Sequence, residues 1–394
     1  MRHSDDSPVI TRGKINEMKI AVFRTSSKEN EKRLPIHPGH LEFLPSFVWP
    51  SLYLEKDYGI DFGFSDRDLS GFCKGFLMRP RLFEECDVIL LPKPTISDID
   101  AMHEGQTLWG WIHCVQQYDI AQKAIEKKIT VVAWEAMNHW DENGRKSHHI
   151  FYKNNELAGY AGVLHVLELL GIDGHYGPRQ KVSVISYGSV SKGAIYALHG
   201  RGFNNVHLFS RRPPHLVADQ NPDVYFYHLT RIGHQYFVTP PLGNQRLLID
   251  EFKDSDIIIN GILQDPINPE IFLKKSDLGL LKRNAIIIDI SCDEGMGFEF
   301  AKPTTFKEPI ISLQNGIKYY SVDHIPSYLW NAASREISKA LTPFLVELIQ
   351  RSFDFHCNET LSRAIEIERG LVQNVRILAF QKREKEYPYK LITK

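Results

Sequence analysis

The stretch Lys181-Val182-Ser183-Val184-Ile185-Ser186-Tyr187-Gly188-Ser189-Val190-Ser191-Lys192-Gly193-Ala194 sets a buried-type strand directly before glycines and a helix start. A turn of that kind lets the backbone approach a pyrophosphate, while the helix N-terminus supplies N–H donors and positive dipole. Gly188, Ser189, Val190 and Gly193 are the candidate cofactor-binding residues. Ser186 stands where the usual fingerprint has its first glycine, so the motif alone leaves open a purely structural turn.

The next strand, Val206 to Phe209, ends in Ser210-Arg211-Arg212. A carboxylate at this place would hydrogen-bond a ribose 2′-hydroxyl, whereas arginines offer a permanently charged fork to a 2′-phosphate. The register therefore favours NADP(H) over NAD(H), with a solvated basic loop as the plain alternative. Asp293 lies just past another buried strand, Ala285 to Asp289, where open parallel sheets gather ligand groups. Asp289 reads as the structural carboxylate of the two.

These side chains need elements to hold them. Apolar runs at Lys19 to Phe23, Val88 to Leu91, Thr107 to Ile112 and Thr130 to Trp134, with a helical stretch from Ile120 to Lys127, form one strand-helix series. A second series takes in Lys181 to Ile185, Asn205 to Phe209, Asp256 to Asn260 and Ala285 to Asp289. Strand alternating with helix predicts an α/β protein with two mainly parallel sheets. A long helix from Asn155 to about Gly171 joins the two series, and a hairpin is expected across Val224 to Pro240 around Gly233. A helical pattern runs through Thr360 to Ile377, reading as a solvated terminal helix.

The 394 residues suit two domains. A net charge of -1 leaves no excess of either sign for nucleic acid, and no apolar run is long enough to span a membrane. The first 17 residues read as a loose leader. The five cysteines are odd in number and scattered, as free thiols in a reducing, cytoplasmic setting would be. No ligand spacing for a metal occurs, so none is expected.

Several ordered stretches together resemble the alanine dehydrogenase superfamily, which includes saccharopine dehydrogenase and the proton-translocating transhydrogenase. They are Glu104-Gly105-Gln106 through Gly110-Trp111-Ile112-His113, Tyr152-Lys153-Asn154 with Ala158 to Leu164, Ile257 to Ile262, and Pro326-Ser327 with Asn331. The likeness is greatest to carboxyethylornithine synthases, which condense pyruvate with an amino-acid amine using NADPH. It implies two Rossmann-like domains joined by long helices: a discontinuous substrate domain (18–154 with 325–352), a cofactor domain (155–324) and a C-terminal extension (353–394).

The resemblance also implies roles. Arg33 matches the arginine that holds the substrate carboxylate, and Lys93 the lysine that contacts the keto acid and polarises its carbonyl or imine. His113 matches the acid/base histidine and Asp293 the aspartate near the nicotinamide; Asn331, leading into the second connector helix, is expected either to reach nicotinamide or substrate or simply to pack that helix. Asn260, Gly261 and Ile262 are expected to border the cofactor. On residue type alone, Arg33 would be a surface charge and His113 a structural histidine. The expected substrates are a keto acid and an amine or amino acid, in a homo-oligomer. An ammonia-using alanine dehydrogenase and a non-catalytic cofactor-binding protein are the competing readings.

Overall fold

The computed structural model describes residues 18–213, 215 and 223–392, so the expected leader lies outside the described residues. The first sheet is built from β1 (Ile20–Val22), β2 (Leu52–Glu55), β3 (Gly75–Leu77), β4 (Val88–Leu90), β5 (Thr107–Gly110) and β6 (Thr130–Ala133), all parallel. Its strands are apolar on both sides because both faces are covered. Ile20 and Val22 enter one core cluster and Ala21 and Phe23 the other. A small antiparallel hairpin, β7 (Asn138–Trp140) with β8 (Lys146–His149), then leads into the first connector helix, Tyr152–Leu170. That helix stops at Gly171, whose φ of 64 is the left-handed cap glycine tolerates best.

The second sheet has at its centre β9 (Val182–Ile185), β10 (Val206–Ser210), β11 (Val224–Ile232), β14 (Ile257–Asn260), β16 (Ile286–Asp289) and β19 (Lys318–Tyr320), again parallel. Antiparallel strands finish its edges: β12 (Gln235–Thr239) and β13 (Arg246–Leu247) at one side, β18 (Ile310–Ser312) at the other. The hairpin expected around Gly233 is β11 with β12, and it is an integral part of the sheet, since β11 also pairs with β10. A two-stranded parallel pair, β15 (Ile271–Leu273) with β17 (Gly297–Phe298), stands apart. Ile257 and Ile259 face one core and Ile258 the other, the same period of two.

The first connector helix crosses the helix Ser189–Gly200 at two glycines. A Cβ on Gly159 would lie 1.8 Å from the Val190 carbonyl oxygen, and one on Gly193 would lie 1.8 Å from that of Glu156. Only hydrogens fit there, so the two backbones touch.

The second connector helix, Trp330–Gln350, sends Ile337, Leu341, Leu345 and Leu348 into the first domain's core. The chain beyond it departs from the expected solvated helix. Residues 365–368 form β20 (Ile365–Glu368), which pairs antiparallel with β6, followed by β21 (Leu371–Val372). Ile367 and Ile377 are fully buried. The segment taken for a separate extension completes the first sheet, because its alternating Ile365 and Ile367 fit the open edge of β6.

Candidate functional site

The C-terminal ends of strands from both sheets converge on one cleft. Lys93 follows β4, His113 follows β5, Asp293 follows β16, and Asp323 follows β19. Lys93 Nζ lies 3.8 Å from Asp323 Oδ1, and Lys28 Nζ lies 2.9 Å from Asp323 Oδ2. These pairs join the two domains across the cleft.

His113 has a φ of 54, unusual for a residue with a Cβ. The turn is fixed by Glu135, whose carboxylate accepts the N–H groups of Ile112 (3.2 Å) and His113 (2.5 Å). The imidazole Nδ1 stays 3.9 Å from the same carboxylate. Burial and then the nearby Lys93 charge lower the His113 pKa, against the pull of Glu135 and Asp323. The imidazole is therefore held ready to accept a proton without being charged beforehand.

The two aspartates are driven apart. Burial, followed by the charge of Asp323, pushes Asp293 up to about 6, with Lys93 opposing. Burial also raises Asp323, but Lys93, His324, whose Nδ1 lies 3.6 Å away, and Lys28 outweigh it and hold that carboxyl well below its usual range. One carboxylate thus stays ionised while its neighbour titrates near neutrality, a division of labour suited to holding a charge and moving a proton.

Arg33 is buried. Its Nε donates to Glu31 Oε1 at 2.9 Å, Nη2 to Glu31 Oε2 at 2.5 Å, and Nη1 to Asn154 Oδ1 at 3.3 Å. The guanidinium lies over the Trp111 ring at 4.7 Å. The surface-charge reading is excluded by this burial, and the fork expected to meet a substrate carboxylate engages Glu31. Asn331 heads the second connector helix near His37, whose pKa is lowered to about 4 by burial and then by the Arg335 charge.

At the cofactor turn, Ser186 has a φ of 79, the conformation for which a glycine is usual. Gly188 begins the Ser189–Gly200 helix with no side-chain cap, leaving the first-turn N–H groups of Ser189 and Val190 uncovered by any side chain of the cap. Gly261 is within contact of Val190 and Ser191; a Cβ there would meet Ser191 Oγ at 2.5 Å. This uncapped helix start beside two close backbones fits a pyrophosphate.

Two residues at this turn have structural partners. Gly193 packs against the connector helix at Glu156. Asn260 is fully buried, its amide donating to Asp289 at 3.0 Å while its carbonyl oxygen accepts the Ile262 N–H at 3.3 Å. It braces β14 to β16. Asp289 is the structural carboxylate that the sequence suggested: Tyr319 also donates to it at 2.9 Å, and burial lifts it to about 7.

Ser210 is buried and its hydroxyl accepts the Arg212 N–H at 3.2 Å. The Arg211 guanidinium pairs with Glu270, which also lies 3.9 Å from Arg231, while Arg212 is exposed.

Sequence reasoning passed over Lys28, Glu135, Asp323 and Glu270. The rule that singled out Asp293 applies equally to Glu135, just past β6, and to Asp323, just past β19. Lys28 and Glu270 carry no such signal, since they lie in loops. Among the described residues, no cluster of three metal-ligating side chains occurs, and no helix is long and apolar enough to cross a membrane.

Comparison with known proteins agrees with this layout. Residues 22–156 match the family described as alanine dehydrogenase/PNT, N-terminal domain, and residues 181–375 match its C-terminal domain. The chain is 28% identical over 342 residues to an N(5)-(carboxyethyl)ornithine synthase of Clostridium botulinum, covering 81% of this chain and 92% of the relative. It is 22% identical over 364 residues to alanine dehydrogenase 1 of Staphylococcus aureus, covering 91% and 95%. Among solved structures, an L-alanine dehydrogenase superposes with a TM-score of 0.72 at 17% identity over 92% of this chain and 99% of that one. A transhydrogenase from Sinorhizobium meliloti follows with 0.67 at 17% identity, over 90% and 99%. With both domain signatures in order along one two-domain Rossmann-like chain, the protein belongs to the alanine dehydrogenase/PNT family of pyridine-nucleotide-dependent oxidoreductases acting on CH–NH bonds.

Proposed function

We propose that the protein is an NADPH-dependent opine-type oxidoreductase, which condenses a pyruvate-like keto acid with the amine of an amino acid such as ornithine or lysine. The observation that carries this reading is the convergence of Lys93, His113 and Asp293 beside a second carboxylate, Asp323, whose pKa is held low by its lysine neighbours. The name of the Clostridium botulinum relative supports the amino-acid amine. Arg211 and Arg212, standing where a carboxylate would face a 2′-hydroxyl, support NADPH.

In this mechanism Lys93 draws electron density from the keto-acid carbonyl, and Arg33 orients its carboxylate once that carboxylate replaces Glu31 on the guanidinium. Asp293 or His113 takes the proton of the incoming ammonium. The freed nitrogen lone pair bonds to the carbonyl carbon, and the same groups return protons to the oxygen as it leaves as water. The reduced nicotinamide, when bound, would supply the hydride that converts the carbon of the N-protonated imine to the secondary amine.

The test is oxidation of NADPH by purified protein with pyruvate and, in parallel, ammonia, ornithine, lysine and other amines, repeated with NADH. Turnover with an amino acid and NADPH supports the proposal. Ammonia with NADH instead would replace it with an alanine dehydrogenase activity. Silence throughout would leave a cofactor-binding protein without this chemistry.

A further inference from the structure

The cleft holds a carboxylate that the mechanism above does not use. Asp323 is neither the proton carrier nor a backbone brace. Its two oxygens face two different ammonium groups, Lys28 at 2.9 Å and Lys93 at 3.8 Å. Of the two lysines, Lys93 is the more enclosed, at 15% exposure, and follows a strand of the sheet; Lys28 is 38% exposed and comes from the loop after β1. A lysine side chain from a loop can swing away at small cost, whereas Lys93 is held in place.

Condensation requires the attacking nitrogen to sit against the carbonyl that Lys93 polarises. At neutral pH that nitrogen arrives as a primary ammonium. It needs an anion close beside Lys93, together with a separate group to remove its proton. Asp293 and His113 can be the second group; the anion beside Lys93 is Asp323. The Lys28 Nζ already at that carboxylate is itself a primary ammonium on a flexible alkyl stem, chemically the same headgroup as the side chain of ornithine or lysine.

We propose that Asp323 is the specificity-determining residue that receives the primary ammonium of the amine substrate, and that Lys28 occupies this position until the substrate displaces it. The inference rests on the amine-condensing reading and names the residue that selects its nitrogen donor. The Asp323 carboxylate favours charged alkylammonium groups over neutral amines, because an ammonium can donate to Asp323 and still present a proton to Asp293 or His113.

Three variants, Asp323→Asn, Asp323→Glu and Lys28→Met, decide the matter. Calorimetric binding of ornithine, lysine and n-propylammonium to the NADP⁺-loaded protein is measured alongside steady-state kinetics with pyruvate. We expect D323N to weaken amine binding and raise the amine KM by about ten-fold or more, with the pyruvate KM changed by less than about two-fold. D323E should recover part of the loss, and K28M should move the amine constants the other way, toward tighter binding, because a competing ammonium has gone. A fall in pyruvate affinity equal to the fall in amine affinity in D323N, or weaker amine binding in K28M, would overturn the assignment. Turnover by the wild-type protein with amine binding indifferent to residue 323 would overturn it while leaving the opine reading intact. Absence of turnover with every amine would sink the opine reading, and the calorimetric comparison would still decide whether Asp323 holds an ammonium; no binding of any of the three probes to the wild type decides against it.

Discussion

The carboxylate of Glu135 accepts the backbone N–H groups of both Ile112 and His113, and so holds the candidate acid/base histidine in its left-handed turn. Replacing Glu135 with Ala strands two donors and releases the turn. The expected result is a fall in kcat of about 10- to 100-fold, the range usual for groups that orient a reacting residue, with NADPH affinity little changed. Stopped-flow turnover and fluorescence titration of NADPH separate the two. His113→Ala should abolish turnover and leave cofactor binding measurable; full activity in that variant would remove His113 from the chemistry.

Asp293 makes a prediction about pH. Its folded pKa of about 6 exceeds the ordinary value near 4, so the folded state binds the proton more tightly than the unfolded chain. Stability contributed by this group is present at low pH, declines as pH rises through that window, and is absent above about 6. Asp293→Asn carries no charge to desolvate. Its Tm relative to wild type should therefore rise between about pH 4.5 and about pH 7.5. A Tm difference that is flat with pH would contradict the assigned shift. In kinetics, the ionisation near 6 in the pH profile of kcat/KM should vanish in the same variant.

Cofactor choice can be read from Glu270. Because that carboxylate pairs with Arg211, Glu270→Gln releases a guanidinium beside the expected 2′-phosphate site. NADPH should bind more tightly than to wild type, and NADH should be little affected. Arg211→Ala and Arg212→Ala should each lose NADPH affinity selectively. Equal losses for both cofactors would show that neither arginine reads the 2′-phosphate.

The crossing of the two helices at Gly159 and Gly193 leaves no room for a methyl group. Gly193→Ala should cost about 1–3 kcal/mol or more through forced separation of the backbones. Chemical denaturation measures it directly. A neutral result would mean that the helices part without penalty.

Much of this architecture is legible in the order of residues. Ile257 to Ile259 and Ile286 to Ile288 announce strands buried on both faces, and the glycines from Gly188 mark where a cofactor turn belongs. The tail is less legible. Ile365-Glu366-Ile367-Glu368 alternates as a strand does, but it also lies within a helical pattern, and its partner Val131 is more than two hundred residues away. Glu366, which looks like a solvent-facing charge, is buried against Asn374 at 2.7 Å and lifted by burial to about 7. The electrostatics of Asp323 were illegible for a similar reason: they arise from Lys28 and Lys93, brought from the far end of the chain by domain packing.

The pairing of β20 with β6 has a consequence for synthesis. A growing chain that has passed residue 133 has made six parallel strands of the first sheet, yet β6 remains an uncovered edge until residues 365–368 emerge. The second domain, continuous in sequence, can close first on the ribosome, while the first waits for residues 365–368. A message truncated before residue 365 would therefore leave the edge of β6 uncovered, a strand able to pair with a copy of itself.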